Sequence, residues 1–293
     1  MFEDVSLQFA QVNEQTIAYR RMGDGPPVLL LHGYPQTHAL WAQIAPLLAN
    51  RFTIVMADLR GYGDSSKPEG LNTYTFRHIG TDQLALMAHL GFERFHLVGH
   101  DRGARTAHRM ALDAPDCITS LTLMDIVPTH HLLADLRKDV ARAYYHWFFL
   151  AQPAPFPENL ILSNPDRYYE TCLTGWGHAT LSDFDADQLA AYRSAWRDPE
   201  TTRAMCDDYR ATLDLDFELD AADLDRQVAC PTLVLWGADG AMGKMYDVAA
   251  TWSPRLANMT ARSLPGGHFF LDQYPQETAD ALLSFLPGPA AGP

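Results

Sequence analysis

Short and almost continuous apolar runs recur along this chain, and each is followed by a glycine or a polar residue. The six runs occupy residues 16–19, 27–31, 52–57, 95–98, 121–124 and 232–236. Runs of this length are typical of strands buried on both faces, which occur in parallel sheets covered by helices. Amphipathic segments at residues 74–90 and 104–114 suit such helices. The sequence therefore predicts an α/β fold, with a mostly parallel sheet and helices on both faces.

The strand pattern stops between about residues 128 and 229, where no apolar run suits a buried strand. Helix starts replace it, because a capping side chain precedes the next helical segment at Asn164, Asp185 and Asp198. We predict that residues 128–229 form a helical cap inserted after the sixth strand, and that residues 1–127 and 230–293 form the core. Ligands bind at the carboxyl ends of strands in open α/β sheets, so we expect the cap to lie over those ends.

Charge and cysteine content narrow the possible functions. The chain has 36 acidic and 22 basic residues, a formal net charge of −14, which argues against nucleic acid or an anionic membrane as a partner. Its four cysteines are too widely spaced for a zinc motif, so no metal is expected. The first ten residues lack the pattern of a signal peptide, and no apolar run is long enough to cross a bilayer. We therefore expect a cytoplasmic enzyme, which would need local cations to hold an anionic substrate.

A Gly-x-Asp-x-Gly motif spans residues 99–103, between a predicted strand and a predicted helix. This is the form of a nucleophile elbow, in which the glycines permit a sharp turn that exposes the central side chain. Glycines at this spacing also occur in ordinary strand–turn–helix units, so the assignment depends on the rest of the site. The carboxylate of Asp101 is ionised at pH 7 and can displace a leaving group from a saturated carbon. Activated water would then hydrolyse the resulting ester.

That hydrolysis needs a base, a group that orients the base, and an oxyanion hole. His268, in a Gly-Gly-His turn near the C-terminus, is the candidate base because it follows the last strand. Asp125 and Asp239 each follow a predicted strand, and spacing does not decide which of them orients His268. The backbone N–H groups of Tyr34 and Arg102 are the candidate oxyanion hole, since the first comes from a loop after a strand and the second directly follows the nucleophile.

Two arginines, Arg102 and Arg105, lie in the first turn of the helix after the elbow, where the helix dipole disfavours cations. Asp101 compensates one charge, and a substrate carboxylate would compensate the other, because arginine suits a planar carboxylate. The alternative is a pair of surface salt bridges. A halide leaving group would need N–H and O–H donors. The predicted cap contains candidates that could equally be core residues, namely His146, Trp147, Trp176 and Tyr209.

These residues and motifs resemble the fluoroacetate (haloacetate) dehalogenases of the α/β-hydrolase superfamily. The resemblance extends from about residue 19 to about residue 285. It rests on the segments at residues 32–38, 99–105, 123–126, 145–147, 151–155 and 206–210. The two arginines of the elbow and the His-Trp pair of the cap are the features that are specific to this family. The resemblance implies the α/β-hydrolase fold, an enzyme without a cofactor and a homodimer.

The resemblance also implies a role for each candidate residue. It makes Asp101 the nucleophile, His268 the base, and Asp125 rather than Asp239 the acid that orients His268. The implied substrate-binding residues are Arg102 and Arg105 for the carboxylate, His146, Trp147 and Tyr209 for the halide, and Trp176 and Tyr34 for the pocket wall. Two positions depart from the family, because Tyr34 replaces a familiar phenylalanine and His130 another aromatic residue, so the preference between fluoride and chloride stays open.

The function that follows is hydrolysis of a haloacetate to glycolate and halide. The main alternative is another hydrolase with an aspartate nucleophile. A haloalkane dehalogenase would normally have tryptophan where Arg102 stands, and a neutral substrate would leave both arginines unpaired. An epoxide hydrolase needs two tyrosines as proton donors, for which the cap offers Tyr144, Tyr145, Tyr168, Tyr169 and Tyr209. A third possibility is a hydrolase fold that only binds small acids, and the intact pair of Asp101 and His268 argues against it.

Overall fold

The computed structural model describes residues 1–2, 5–177 and 179–287. Within them, eight strands form one sheet in the spatial order β1-β2-β4-β3-β5-β6-β7-β8. The β1–β2 and β2–β4 pairs are antiparallel and the other pairs are parallel, which confirms the predicted α/β fold. The strands are β1 (Gln8–Val12), β2 (Gln15–Met22), β3 (Pro27–Leu31), β4 (Thr53–Ala57), β5 (Phe95–His100), β6 (Ile118–Met124), β7 (Thr232–Gly237) and β8 (Met259–Leu264).

Alternate side chains of the central strands enter two separate apolar clusters. Leu29 and Val55 belong to one cluster, whereas Val28, Leu30 and Ile54 belong to the other. Because neighbouring residues of a strand point to opposite faces, the two clusters cover the two faces of the sheet. Burial on both faces explains why these strands appear in the sequence as continuous apolar runs.

Helices cover the sheet and fill the chain between β6 and β7. They are α1 (Ala45–Leu48), α2 (Phe76–His89), α3 (Arg102–Asp113), α4 (Thr129–Ala134), α5 (Lys138–Ala143), α6 (Tyr145–Leu150), α7 (Phe156–Leu162), α8 (Pro165–Gly175), α9 (Ala186–Trp196), α10 (Pro199–Ala211), α11 (Phe217–Ala221), α12 (Ala241–Met245), α13 (Val248–Trp252), α14 (Phe270–Gln273) and α15 (Pro275–Phe285). A π-helical turn, Thr212–Asp216, joins α10 to α11. In the part of the chain that the structure describes, no helix has the length and apolar character needed to cross a membrane.

The segment between β6 and β7 contains α4 to α11, and none of its described residues belongs to a strand. The three predicted helix starts are confirmed, because the side chains of Asn164, Asp185 and Asp198 accept N–H groups of the first turns of α8, α9 and α10. The division into a cap at residues 128–229 and a two-part core stays a prediction. Residue 178 of the predicted cap and residues 288–293 of the predicted core lie outside the described residues.

Two strands of the sheet have no counterpart in the predicted set. β1 and β8 are the edge strands, and in both of them exposed residues are interspersed with buried or half-buried ones. β8 carries Thr260, Arg262 and Ser263 among its six residues. Edge strands commonly carry such polar side chains, so the continuous apolar run that identifies a buried strand is absent from them.

Candidate active site

Asp101 lies in the turn between β5 and α3. Its φ of +48° is in the left-handed region, which costs a non-glycine residue about 1–3 kcal/mol. The flanking glycines permit the tight packing of this turn. A Cβ on Gly99 would lie 2.4 Å from the carbonyl oxygen of Gly103, and a Cβ on Gly103 would lie 2.4 Å from that of His32. The local sequence therefore forces the carboxylate of Asp101 out of the end of the sheet.

The loop after β3 supplies a backbone donor to this carboxylate. The N–H of Tyr34 donates to Oδ2 of Asp101 at 3.0 Å. Arg102 is the first residue of α3, and the first N–H groups of a helix have no partner within the helix. Both predicted oxyanion donors thus belong to the backbone that adjoins Asp101. Although burial disfavours the charged form, His268 and the nearby arginines bring the pKa of Asp101 below its ordinary value.

His268 is held by Asp125 and not by Asp239. Its Nδ1 lies 2.6 Å from Oδ2 of Asp125, whose Oδ1 accepts the N–H of Gly237 at 2.9 Å. Asp239 is exposed, and the hydrogen bond it makes near this turn is from its backbone N–H to the carbonyl of Gly266. Burial disfavours the imidazolium of His268, but the hydrogen bond and charge of Asp125 raise its pKa above the ordinary value.

Arg102 already has a protein counter-ion, which corrects the charge argument made from sequence. Its Nε donates to Oδ2 of Asp208 at 2.8 Å, its Nη2 donates to Oδ1 of the same carboxylate, and both side chains are buried. Nη2 also donates to Oγ1 of Thr212 at 2.5 Å. Tyr62 donates its hydroxyl to Oδ2 of Asp208 at 2.7 Å. The substrate is therefore not needed to compensate Arg102, and Nη1 is the one nitrogen of this side chain without a hydrogen-bond partner among the described residues.

Arg105 makes no salt bridge among the described residues, and Asp101 is the anion whose charge acts on it most strongly. Its Nη1 donates to the carbonyl of Val127 at 3.1 Å and to Oγ1 of Thr129 at 3.0 Å. Its Nε and Nη2 are buried and have no hydrogen-bond partner within the part of the chain that the structure describes. These two nitrogens form one edge of the guanidinium, which is the edge that can bind a carboxylate in a bidentate manner. Burial lowers the pKa of Arg105, but arginine stays charged in proteins.

Three donors of α6 and α10 lie close to the two arginines. The ring of Tyr209 is 5.5 Å from that of Trp147 and 5.6 Å from that of His146. The guanidinium of Arg102 lies 4.4 Å from the Tyr209 ring, and that of Arg105 lies 4.7 Å from the Trp147 ring. Trp147 Nε1, Tyr209 Oη and His146 Nδ1 are all buried without a hydrogen-bond partner among the described residues. Burial lowers the pKa of His146 to about 3, so its ring is neutral near pH 7.

A small cavity adjoins Asp101. Its volume of about 10 Å³ accommodates the centre of about one water molecule. Its lining consists of Asp101, Tyr144, His146, Trp176, Ala241 and His268. The Tyr34 ring lies 5.9 Å from His146 and 5.2 Å from Tyr209. Of the predicted pocket residues, Trp176 thus lines this cavity, and Tyr34 packs against His146, which also lines it.

Three residues of this region were missed as members of the site. Asp208 precedes Tyr209 within a segment that the resemblance already used, and this adjacency was the available signal. Tyr144 was considered only as a donor for an epoxide. Ala241 carries no chemical group that sequence reasoning could have used. Among the described residues, no cluster of histidine, cysteine, aspartate or glutamate side chains could hold a metal ion, and the absence of a cofactor stays a prediction.

Comparisons with known proteins identify the family of the chain. A family model described as the alpha/beta hydrolase fold matches residues 26–275. The chain is 52% identical to a fluoroacetate dehalogenase from Burkholderia sp., over 100% of this chain and 97% of the relative. It is 29% identical to a soluble epoxide hydrolase from Corynebacterium sp. (strain C12), over 98% and 99% of the two chains.

The solved structure of a Nostoc sp. PCC 7120 protein, described as an α/β hydrolase, gives a TM-score of 0.95 at 46% identity. The match covers 97% of this chain and 99% of that one. A relative above 50% identity over the whole chain, a family model over most of it and the same fold in a solved structure all agree. The chain therefore belongs to the α/β-hydrolase fold family, in which it groups with the fluoroacetate dehalogenase of Burkholderia.

Proposed function

We propose that this enzyme is a haloacetate dehalogenase, which converts fluoroacetate or chloroacetate and water to glycolate, halide and a proton. The observation that carries the proposal is a group of buried polar atoms around one ionised aspartate that have no hydrogen-bond partner among the described residues. They are Nη1 of Arg102, Nε and Nη2 of Arg105, Nε1 of Trp147, Oη of Tyr209 and Nδ1 of His146, which donates when its hydrogen is on that nitrogen. Buried polar groups are normally hydrogen-bonded. A cluster of unpartnered polar atoms of this size therefore indicates a polar ligand.

The donors fall into two chemically different sets. Arg105 and Nη1 of Arg102 are cationic and suit a carboxylate. Trp147, Tyr209 and neutral His146 offer uncharged donors, which suit a small anion that forms during the reaction. A molecule that carries a carboxylate and a small leaving anion on adjacent atoms matches both sets, and a haloacetate is such a molecule.

In the first half of the proposed reaction, a carboxylate oxygen of Asp101 attacks the carbon that bears the halogen. A C–O bond forms as the C–halogen bond breaks, and the halide leaves with the bonding electrons toward Trp147, Tyr209 and His146. No proton moves in this step. Attack from the side opposite the halide would invert a chiral centre in a longer 2-haloacid.

In the second half, neutral His268 takes a proton from water, and the hydroxide adds to the ester carbonyl of Asp101. The N–H groups of Tyr34 and Arg102 bind the oxyanion that forms. The tetrahedral intermediate then expels glycolate, whose oxygen takes the proton from His268, and the carboxylic acid left on Asp101 releases the proton of the overall reaction as it returns to the carboxylate. Asp125 keeps the His268 ring in the orientation and tautomer that this proton transfer requires.

The walls of the cavity limit the size of the acid. Trp176 and Tyr144 are rigid aromatic side chains that line a volume of about 10 Å³, and Tyr34 packs against Trp176. Entry of even a two-carbon acid requires these walls to move, so opening and closing of this region contribute to turnover. We therefore propose that two-carbon haloacids are preferred over longer ones.

Ion chromatography of fluoride and chloride released from fluoroacetate and chloroacetate tests the proposal directly. We expect release by the wild type and none by Asp101→Asn. We also expect His268→Asn to trap the ester, visible in intact mass as an addition to Asp101. Chloride release without fluoride would keep the mechanism and change the preferred halide, whereas the absence of both ions would reject the proposal.

The second candidate is hydrolysis of an epoxide by the same aspartate. Two tyrosines that flank the nucleophile favour it, because Tyr144 lines the cavity and the hydroxyl of Tyr209 is unpartnered. The edge of Arg105 formed by Nε and Nη2 argues against it, because these buried nitrogens have no hydrogen-bond partner among the described residues and a neutral epoxide cannot bind both of them as a carboxylate does. Styrene oxide assayed beside chloroacetate distinguishes the two functions.

We also propose a cytoplasmic homodimer that acts on a small haloacid and binds neither nucleic acid nor membrane. Its four cysteines are all free thiols, which is typical of a reducing compartment. Phe156 and Leu160 are exposed one turn apart on α7 and offer an apolar contact. Light scattering of the purified protein tests the dimer, and a mass of 32.7 kDa would reject it.

A further inference from the structure

His100 is a buried titratable group beside the nucleophile that the reaction described above does not use. It is the last residue of β5 and directly precedes Asp101. Its Nε2 lies 2.9 Å from the carbonyl oxygen of His268, and the two imidazole rings are 4.7 Å apart. The side chain is fully buried. The residue before the nucleophile thus contacts the backbone of the proposed base.

The protonation state of His100 follows from its surroundings. Burial, together with the nearby charge of His268, lowers the pKa of His100 to about 3. The ring is therefore neutral near pH 7 and carries one hydrogen. A carbonyl oxygen can only accept, so that hydrogen is on Nε2 and is donated to His268. Nδ1 has no hydrogen-bond partner among the described residues, so His100 has no partner to which it could relay a proton.

Three contacts hold His268, and each restrains a different part of it. Asp125 holds the ring through Nδ1. The carbonyl of Trp176, between β6 and β7, accepts the backbone N–H of His268 at 2.9 Å. His100 donates to the backbone carbonyl on the other side of the same residue. The contact with His100 does not involve the region of Trp176, so it still restrains the backbone of His268 if that region moves when substrate enters.

We infer that His100 is a positioning residue, whose Nε2–H holds the backbone of His268 so that the His268 ring can activate water against the Asp101 ester. The inference rests on the proposed function. It assigns His100 to one half of the reaction, because alkylation of Asp101 breaks the C–halogen bond without His268. Hydrolysis of the ester requires His268 to take a proton from water at a fixed position. A displacement of about 1 Å can slow such a step about 100-fold.

His100→Phe keeps the ring shape and removes the donor, and His100→Gln restores an N–H donor. With chloroacetate, we expect His100→Phe to release about one chloride per active site in a burst at the rate of the wild type. Steady-state kcat should then fall about 10- to 100-fold, with a similar fall in KM and an unchanged kcat/KM. Intact mass should show the ester on Asp101. His100→Gln should recover most of the lost kcat.

His96→Phe is the matched control. His96 is a buried histidine of the same strand, but its ring hydrogen-bonds to Ser120 and not to the turn that carries His268. The variant should neither burst nor accumulate ester. If His100→Phe does not fold, His100→Met removes the donor with a more flexible side chain, and the same burst is expected.

The role of His100 is overturned if folded His100→Phe, or His100→Met in its place, loses kcat and kcat/KM equally. It is also overturned if that variant accumulates no ester on Asp101. The proposed function itself is overturned if the wild type releases no chloride and the His268→Asn variant forms no ester. The two failures are therefore distinguishable.

Discussion

His268 owes its raised pKa partly to a charge that the reaction removes. Burial lowers the pKa, whereas Asp125 and Asp101 raise it. When Asp101 becomes an ester in the proposed mechanism, its negative charge disappears and one of the raising causes is lost. His268 is therefore a weaker base in the ester than in the resting enzyme. This change favours the neutral ring at the moment when it has to accept a proton.

The activity should consequently fall as pH falls through the pKa of His268 in the ester, because the protonated ring cannot activate water. We expect the acid limb of the kcat profile to lie at lower pH than the His268 titration of the resting enzyme followed by NMR. Asp101→Asn removes the same charge permanently, so the His268 pKa should be lower in this variant than in the wild type. Equal pKa values in the two proteins would contradict this coupling.

Loss of an uncharged donor of Trp147, Tyr209 or His146 should slow the release of fluoride more than the release of chloride. Fluoride is the more strongly hydrated ion, so the loss of one donor in a buried site costs it more. Tyr209→Phe removes only the hydroxyl and keeps the ring against Arg102. We expect a loss of about 100-fold in kcat for fluoroacetate and about 10-fold for chloroacetate, measured by ion release. Tyr192→Phe, a buried tyrosine that bonds Gln36 and Asp272, is the control and should not discriminate between the halides.

The sequence indicated some of these residues better than others, for a physical reason. Asp101 was identified because the elbow demands glycines at fixed positions around it. His268 could be recognised from its turn, but Asp125 and Asp239 could be separated only by a measured distance. Asp208 was missed because a buried ion pair joins residues 106 positions apart, and no local pattern marks the partner of Arg102.

Helix α10 connects the two parts of the proposed site. Asp208 holds Arg102 of α3, and the next residue, Tyr209, packs on the same guanidinium. The chain between β6 and β7 therefore contributes both the counter-ion of Arg102 and one of the proposed donors for the leaving halide. Any movement of α10 displaces both groups together.

Loss of the Asp208 carboxylate should destabilise the protein strongly, because it leaves Arg102 buried and unpaired. We expect Asp208→Ala to lower the free energy of unfolding by about 3–5 kcal/mol, measured by urea denaturation. Asp207 on the same helix pairs with Arg203 and Arg210 at a more exposed position. Asp207→Ala should cost about 1 kcal/mol or less. Similar losses in the two variants would show that the buried ion pair of Asp208 contributes no more to stability than the more exposed pairs of Asp207.

The predictability of the elements follows from their burial. β3, which is buried on both faces, was predicted with its observed bounds because each of its side chains is apolar, whereas the predicted bounds of β4 to β7 differ from the observed ones by one to three residues. The edge strands β1 and β8 were not predicted, because exposure on one face admits polar residues that obscure the pattern. The helix starts in the chain between β6 and β7 were predicted correctly because their caps are local, whereas the packing of these helices around Asp101 depends on contacts distant in sequence.

The net negative charge of the whole protein repels the anionic substrate that its site is proposed to bind. The formal net charge is −14, and a haloacetate is an anion, so the long-range field repels it. The attraction of Arg105 and Arg102 acts only at short range, inside a buried site. Added salt screens the exposed charges over distances beyond about 8 Å at 0.15 M and affects buried contacts much less.

We therefore expect kcat/KM for fluoroacetate to rise about 2- to 10-fold between low and physiological ionic strength, while kcat stays constant. The constant kcat serves as the internal control, because the long-range field no longer matters once the substrate is bound. Sodium sulfate is the suitable salt, since added chloride would compete for the proposed halide donors. A kcat/KM that falls as salt is added would mean that the field of the two arginines reaches out of the site and outweighs the acidic surface.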